Sequence, residues 1–458
     1  MYQLGCSFRE WVLRFGLWGA LATACNASPA VDRLAPGRAA QHASTPVDEL
    51  AFDLAASRTA AALRVGALPS VATRRTWWDA ERASDVIGKV TVGYQGWFTA
   101  PGDGAPFQGW WHYDSDTSNP PSPSDNLLKG WPDMSDFTTR FESGFSNLEN
   151  GQRATLFSSY SDQTIDAHFR WIEENGIDTV ALQRFYDRWP TRNGIAAKVM
   201  RAAEAHGRKF YVMYDISGWD RFQTELKEDW TTGILGQLKL TDSPAYARQD
   251  GKPVVGIWGM GFGDRPGDAA SSLDVIDFFK EQGIYVVGGV PFDWRAADGG
   301  LSKPDYGAVY DDFDMLSPWM VGVVGNDDDS DVIRDAYNEP DIAYCRSHGI
   351  AYQPCVLPGD LSLHQRVHGD FMWHQFANMI RLGADGLYVS MFDEFGEGNQ
   401  IAKTAATSAD RPANSSFSTL DEDGTACSPD YYLRLTGDGD RMLKGEIPFT
   451  TKRPTPPR

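Results

Sequence analysis

A chain of 458 residues with 42% hydrophobic and 23% charged side chains can bury a large core, and this composition excludes a wholly disordered polymer. Its 42 basic against 62 acidic side chains leave a formal charge of −20, which repels nucleic acid and anionic membrane surface, so neither is an expected partner. The same charge suits a neutral oligo- or polysaccharide and argues against strongly acidic ones; 16 Trp and 17 Tyr supply flat rings that serve sugar faces and large cores alike.

At the N-terminus, Arg9 and Arg14 flank the start of an apolar stretch from Phe15 to Ala24 that carries no further charge. It is too short to span a bilayer and reads as an export signal. The stretch ends Leu21-Ala22-Thr23-Ala24-Cys25, which resembles a bacterial lipobox and implies cleavage before Cys25 and a lipid on its sulfur; ordinary cleavage nearby, with Cys25 a bystander, is the alternative. Residues 1–24 are accordingly expected as a lipoprotein signal peptide. Residues 25–86, rich in Ala, Ser, Pro and Arg, are expected as a flexible linker, partly helical over Asp48–Val65. The expected location is exported, in the cell envelope or secreted, with membrane contact only through the N-terminal lipid.

From Lys89 the texture changes to short apolar runs alternating with amphipathic stretches. The runs are Val90–Trp97, Thr179–Arg184, Phe210–Asp215, Pro253–Trp258, Ile284–Val290, Met315–Trp319, Ala351–Leu357 and Gly386–Phe392. They are continuous rather than alternating, as parallel strands covered on both faces should be. Helices are predicted over Ser161–Asn175, Asn193–His206, Trp230–Lys239, Ser271–Gln282, Asp331–His348 and Gly369–Leu382, several ending at a glycine such as Gly176 or Gly283. Eight strand–helix units predict α/β architecture, a single (β/α)8 TIM barrel over 87–449, with 450–458 as a disordered tail. The fifth unit is weak, because Arg295–Asp314 reads mostly as loop. An open doubly wound sheet is disfavoured, since no Gly-x-Gly-x-x-Gly leads from a strand into a helix.

In such a barrel, function gathers where strands end. The polar and aromatic residues at those ends are the candidate sugar ligands: Tyr94, Gln95 and Trp97; Gln183 and Arg184; Tyr214, Asp215 and Trp219; Trp258; Asp293; and Trp319. Each also has a structural reading, Asp215 as a turn cap and the rings as core. The eighth run breaks into Asp393-Glu394-Phe395-Gly396-Glu397-Gly398-Asn399-Gln400. Hydrolysis of a glycosidic bond commonly uses one carboxylic acid for the leaving oxygen and a second carboxylate for the nucleophile, and crowding two together pushes their pKa values apart. Glu394 and Glu397, three apart, are the candidate pair; the alternative is a solvated acidic turn.

The segment Ser390-Met391-Phe392-Asp393-Glu394-Phe395-Gly396-Glu397-Gly398-Asn399-Gln400-Ile401 resembles the Ser-x-Phe-Asn-Glu-Trp-x-Glu-Gly-Thr-Gln-Ile signature of glycoside hydrolase family 99, which contains the endo-α-mannosidases. Gly93–Phe98 and Tyr431–Gly437 look still more like the bacterial family 71/99-like proteins, and the resemblance spans 88–447. It implies a retaining enzyme without cofactor. Glu394 would deprotonate the sugar's own 2-hydroxyl, which attacks through an epoxide-like intermediate, and Glu397 would be general acid and base. Asp393 stands where the family has Asn, Phe395 where it has Trp and Asn399 where it has Thr, so Asp393 adds a third carboxylate and joins the candidate sugar ligands. A family 71-like endo-α-glucanase and a glycan-binding lipoprotein without catalysis are the rival readings.

No metal site is expected. His364 and His368 are four apart but lack a His-Glu-x-x-His pattern, no Cys/His zinc spacing occurs, and Asn326–Asp331 reads as a helix cap opening a helix at Asp331 rather than a calcium loop. Cys345 and Cys355 form either a disulfide or two buried thiols. A monomer is expected.

Overall fold

The computed structural model describes residues 84–458. The export signal, Cys25 and nearly all of the expected linker lie outside the described residues.

Nine short parallel strands build the sheet: β1 (Val90–Tyr94), β2 (Thr179–Arg184), β3 (Lys209–Asp215), β4 (Lys252–Trp258), β5 (Tyr285–Pro291), β6 (Met315–Trp319), β7 (Ala351–Tyr352), β8 (Cys355–Val356) and β9 (Leu387–Val389). They are rich in Val, Ile and aromatics and almost wholly buried, as both faces of a covered parallel sheet require. Neighbours in sequence are neighbours in space, with Val180 opposite Phe210, Val212 opposite Val255 and Val287 opposite Met315. The sheet then curls until β9 lies beside β1, Val90 opposite Leu387. The seventh run divides at Pro354, which has no N–H to give to a ladder. Its first half pairs with β6 and its second with β9. Gln353 donates to Leu316 O on one side, and Pro354 O accepts from Tyr388 N on the other. Residues 351–356 thus carry the hydrogen bonding round from β6 to β9, and the result is a TIM-barrel-like α/β fold.

The helices between strands are α1 (Asp162–Glu174), α2 (Trp189–Ala205), α3 (Phe222–Glu228), α4 (Ala269–Glu281), α5 (Gly307–Asp311), α6 (Asp327–Ile333), α7 (Glu339–His348), α8 (Asp370–Leu382) and α9 (Tyr431–Leu443). In α1, Ile165, Phe169 and Ile172 recur at helical spacing and are buried, and the helix stops at Asn175 with Gly176 at φ +72°. The weak fifth unit holds only the five-residue α5. The helix expected from Trp230 begins a full eight residues earlier, at Phe222, and widens into a π-helical stretch over Asp229–Leu238. That widening starts where Asp229 turns inward to Arg184, and Thr231 and Thr232 donate back to Lys227 O and Glu228 O. The acidic run is indeed a cap, one turn upstream of expectation: Asn326 accepts from Asp329 N and the helix starts at Asp327.

Cys345, Cys355 and Cys427 are buried free thiols, so the disulfide alternative is not realised. Residues 450–458, expected as a disordered tail, lie against α8 and α9. Arg453 pairs with Asp370 at 2.7 Å, and Pro457 O accepts from Ser428 N at 2.8 Å. No helix among the described residues is long and apolar enough to cross a membrane.

The contact between α9 and the end of α1 leaves no room for a side chain. A Cβ on Gly437 would stand 2.1 Å from Asn175 O, a main-chain atom that cannot swing aside. Gly437→Ala is expected to destabilise the fold by about 1–3 kcal/mol, read as a lower urea midpoint; an unchanged midpoint would contradict this packing.

Candidate active site

After Val389 the chain leaves the sheet through a cis Ser390–Met391 peptide and folds into a tight lobe over 391–401. Met391 N donates to Asn399 O at 3.1 Å, Asn399 N to Glu394 O at 3.2 Å, and Phe392 N to Gly93 O at 2.7 Å. The lobe therefore closes on itself and is stitched to the end of β1.

The strongest stitch is Asp393. Its carboxylate accepts from Gln95 N at 2.7 Å and Gly96 N at 2.9 Å, one oxygen to each. The Gln95 side chain then turns back, its Nε2 donating to Glu394 Oε2 at 2.9 Å, while Gly396 N donates to Glu394 Oε1 at 3.1 Å. Both oxygens of Glu394 are thus fixed by short-range donors. On the far side Lys129 N donates to Phe395 O at 2.9 Å, and its Nζ pairs with Asp360 at 2.6 Å. Arg366, fully buried, donates to Gly398 O and Gln400 O, both at 2.8 Å.

Burial dominates the electrostatics. Glu394 is only 4% exposed and Glu397 is half-buried. Loss of hydration raises the pKa of Glu394 well above the ordinary carboxylate value, and the negative charges of Glu397 and Asp393 add to it. Burial also raises Glu397, but Lys129 and the Asn399 side chain pull it back, while Asp360 and Asp215 push it up. Asp393 is pushed up to about 6 by burial, against the two backbone N–H groups that favour its charged form. Burial therefore resists ionisation at both glutamates, and at Glu394 the charge of Glu397 adds to that resistance.

Other predicted residues divide into two groups. Gln95 and Asp215 act on the two glutamates, Gln183 donates to the Tyr388 hydroxyl at 3.0 Å, and Trp97, Trp258 and Trp319 pack against other rings. Asp215 accepts from Ser217 N at 2.8 Å, so it caps its turn, and it also acts electrostatically on Glu397. The Nε1 atoms of Trp97 and Trp258 are buried without a hydrogen-bond partner, as is Gln95 Oε1. Trp319 is half-buried and meets Trp258 edge-on at 5.3 Å.

The second group is committed elsewhere. Tyr94 donates to His168 Nδ1 at 2.9 Å, in a pocket that drives the imidazole down to about 3. Arg184 and Tyr214 both bond Asp229, at 2.6 and 2.8 Å. Trp219 Nε1 donates to Glu225 at 2.8 Å. Asp293 is wholly buried and accepts from Leu301 N and Ser302 N. Asp393 has no exposed surface and both oxygens engaged. Of these six expected sugar ligands, Tyr94, Arg184, Tyr214, Trp219 and Asp393 give polar atoms to partners inside the protein, while Asp293, wholly buried, keeps Oδ1 unpartnered.

Sequence reasoning passed over Lys129, Asp360 and Arg366. Lys129 lies in a long connection with no periodic signal, and Arg366 reaches the lobe through main-chain oxygens, so neither had a readable motif. The three histidines find carboxylates: His364 with Glu422, His368 with Asp423, and His374 with Asp331, each at 2.7 Å. Among the described residues no group of three or more His, Cys, Asp or Glu gathers as metal ligands.

No family model and no curated protein matches the chain. In architecture it is similar to the GH99 endo-alpha-mannosidase from Bacteroides thetaiotaomicron, with a TM-score of 0.56 and 14% identity over 79% of this chain and 98% of that one. That protein in complex with Bis-Tris-propane aligns with a TM-score of 0.56 and 15% identity over the same shares. At such identity the likeness concerns the fold: a TIM-barrel-like α/β scaffold of the kind a solved glycoside hydrolase uses.

Removing the charge at position 397 should make Glu394 easier to ionise. In Glu397→Gln, the Glu394 carboxyl carbon is expected to titrate at lower pH than in the parent, followed by 13C NMR of labelled glutamate. An unmoved titration would mean the two groups are not electrostatically coupled.

Proposed function

We propose that the chain is a retaining glycoside hydrolase that cleaves within α-linked glycans, endo-α-mannosidase-like in type, with Glu394 and Glu397 as its catalytic carboxylates. The observation carrying this reading is the pair itself: two glutamates on one lobe after the last strand, coupled in charge and both raised in pKa by burial. A solvated acidic turn would have neither property.

In the proposed reaction the carboxylate of Glu394 takes the proton of the 2-hydroxyl, and the 2-oxygen attacks C1 from its own ring. The C1–oxygen bond to the leaving sugar breaks as Glu397 gives that oxygen its proton. Water then opens the epoxide-like intermediate, with Glu397 taking a proton from the water and Glu394 returning one to the 2-oxygen, so the site ends as it began. Gln95 and Gly396 hold the Glu394 carboxyl group in one orientation throughout.

The substrate class is tested by a product screen on α-mannan, α-1,3-glucan and mixed fungal glycans, where internal cleavage of α-mannan is expected and release from α-1,3-glucan alone would replace the mannoside reading. Glu397→Gln is expected to lower turnover of unactivated linkages by roughly 10²–10⁴-fold, the usual contribution of a general acid. A glycosyl fluoride, whose leaving group needs little protonation, should suffer much less. Equal losses on both substrates would remove Glu397 as the acid.

The pH profile follows from the two carboxylate roles. Activity requires one glutamate protonated and one ionised, so it should fall at low pH when both are protonated and at high pH when neither is. Both pKa values are raised, so the acid limb of kcat/KM is expected above the ordinary carboxylate range. A plateau reaching down to the ordinary carboxylate range would contradict the assignment.

A further inference from the structure

Next to the glutamate pair, on the side of β1 and β2, the loops gather cations among rings. Trp97, two residues beyond Gln95, stacks on His112 at 3.7 Å and faces Phe185 at 5.4 Å. The Arg192 guanidinium lies over Phe185 and Trp111, both at 4.6 Å, and Arg188 lies over Phe107 at 3.7 Å. A small internal cavity has Gln95, Arg184 and Arg192 in its wall, so this cluster adjoins the residue that holds Glu394.

The charges in the cluster do not cancel. Arg184 is matched by Asp229. Asp187 is the one carboxylate paired with the other two arginines: it takes Arg192 at 2.7 Å and stands 3.7 Å from Arg188. Arg188 Nε is buried without a hydrogen-bond partner, and Arg188 sits in the left-handed region at φ 52°, a conformation that a non-glycine residue adopts at a cost. Arg192 is pushed down to about 10 by burial, Asp187 opposing it and Arg184 and Arg188 adding to it, and His112 is lowered by burial and by both Arg192 and Arg188. One guanidinium is left in surplus in a chain whose overall charge is −20.

We propose that Arg188 and Arg192, beside the Trp97–His112 stack, form a subsite for a sugar unit bearing a negative charge, a carboxylate or a sulfate. Arg192 gives its Nε and one terminal nitrogen to Asp187, which leaves Arg188, over the Phe107 ring and 3.7 Å from Asp187, to meet an oxyanion. This inference rests on the glycan-hydrolase reading and narrows its substrate.

The test uses the full chain carrying Glu397→Gln, so that ligand is not consumed, and calorimetry with three matched ligands: a neutral α-mannotriose, its C6 uronate and its 6-O-sulfate. At least one charged ligand is expected to bind roughly tenfold or more tighter than the neutral one, an advantage that shrinks with added salt. Which of the two prevails distinguishes carboxylate from sulfate. Adding Arg188→Ala should abolish the preference and leave neutral binding in place, and Arg188→Lys should keep part of it. Asp187→Asn, which removes the competing carboxylate, should strengthen it. Equal binding of all three ligands, or a preference that survives Arg188→Ala, overturns the subsite while leaving the hydrolase reading intact. Absence of binding by every ligand overturns both.

Discussion

The carboxylate of Asp393 accepting the N–H groups of Gln95 and Gly96 is the contact on which the site depends. It joins the first strand end to the lobe after the last, at the one place where the curled sheet brings chain positions nearly 300 apart together. An irregular lobe has no ladder of its own to hold it, and a buried carboxylate drifts toward water unless its oxygens are occupied. Asp393 solves the first problem by fixing the lobe to β1, and through Gln95 it solves the second by presenting a donor to Glu394. Arg366 and Lys129 perform the same office from outside, gripping main-chain oxygens at 395, 398 and 400. The lobe that carries Glu394 and Glu397 is therefore held from several sides by other residues.

This arrangement explains which parts of the site could be read from the sequence. Strands β2 and β6 match their predicted bounds. The first strand is shorter than its apolar run, because Gln95, Gly96 and Trp97 leave the ladder to serve the Asp393 lobe. The seventh run is split by Pro354, whose missing donor is plain in the sequence although its effect depends on which neighbour expects it. That Glu394 and Glu397 follow the last strand was legible, because the apolar run before them marks it.

What the residues at the other strand ends do was less legible, for a different physical reason. A polar residue after a buried strand is certain to sit at the mouth end of the sheet, but its partner is not encoded nearby. Arg184 finds Asp229 across 45 positions, and Tyr214 finds the same carboxylate. Tyr94 finds His168 on a helix that packs against the sheet. Each has spent its hydrogen-bonding capacity before any ligand arrives. Trp97, Trp258 and Gln95 differ only in retaining an unmatched buried atom, and nothing in their own sequence neighbourhood distinguishes them.

The charges around the pair also bear on how the proposed roles are reached. Burial raises both glutamates; the charges of Glu397 and Asp393 add to the rise at Glu394, while at Glu397 Lys129 and Asn399 favour the ionised form against Asp360 and Asp215. The roles implied by the sequence resemblance require Glu394 ionised and Glu397 protonated when substrate is bound. A sugar whose 2-hydroxyl donates to Glu394 favours the ionised carboxylate there, and one whose glycosidic oxygen accepts from Glu397 favours the acid there. Substrate contact and proton position then reinforce each other, which makes the correct linkage the trigger for its own cleavage.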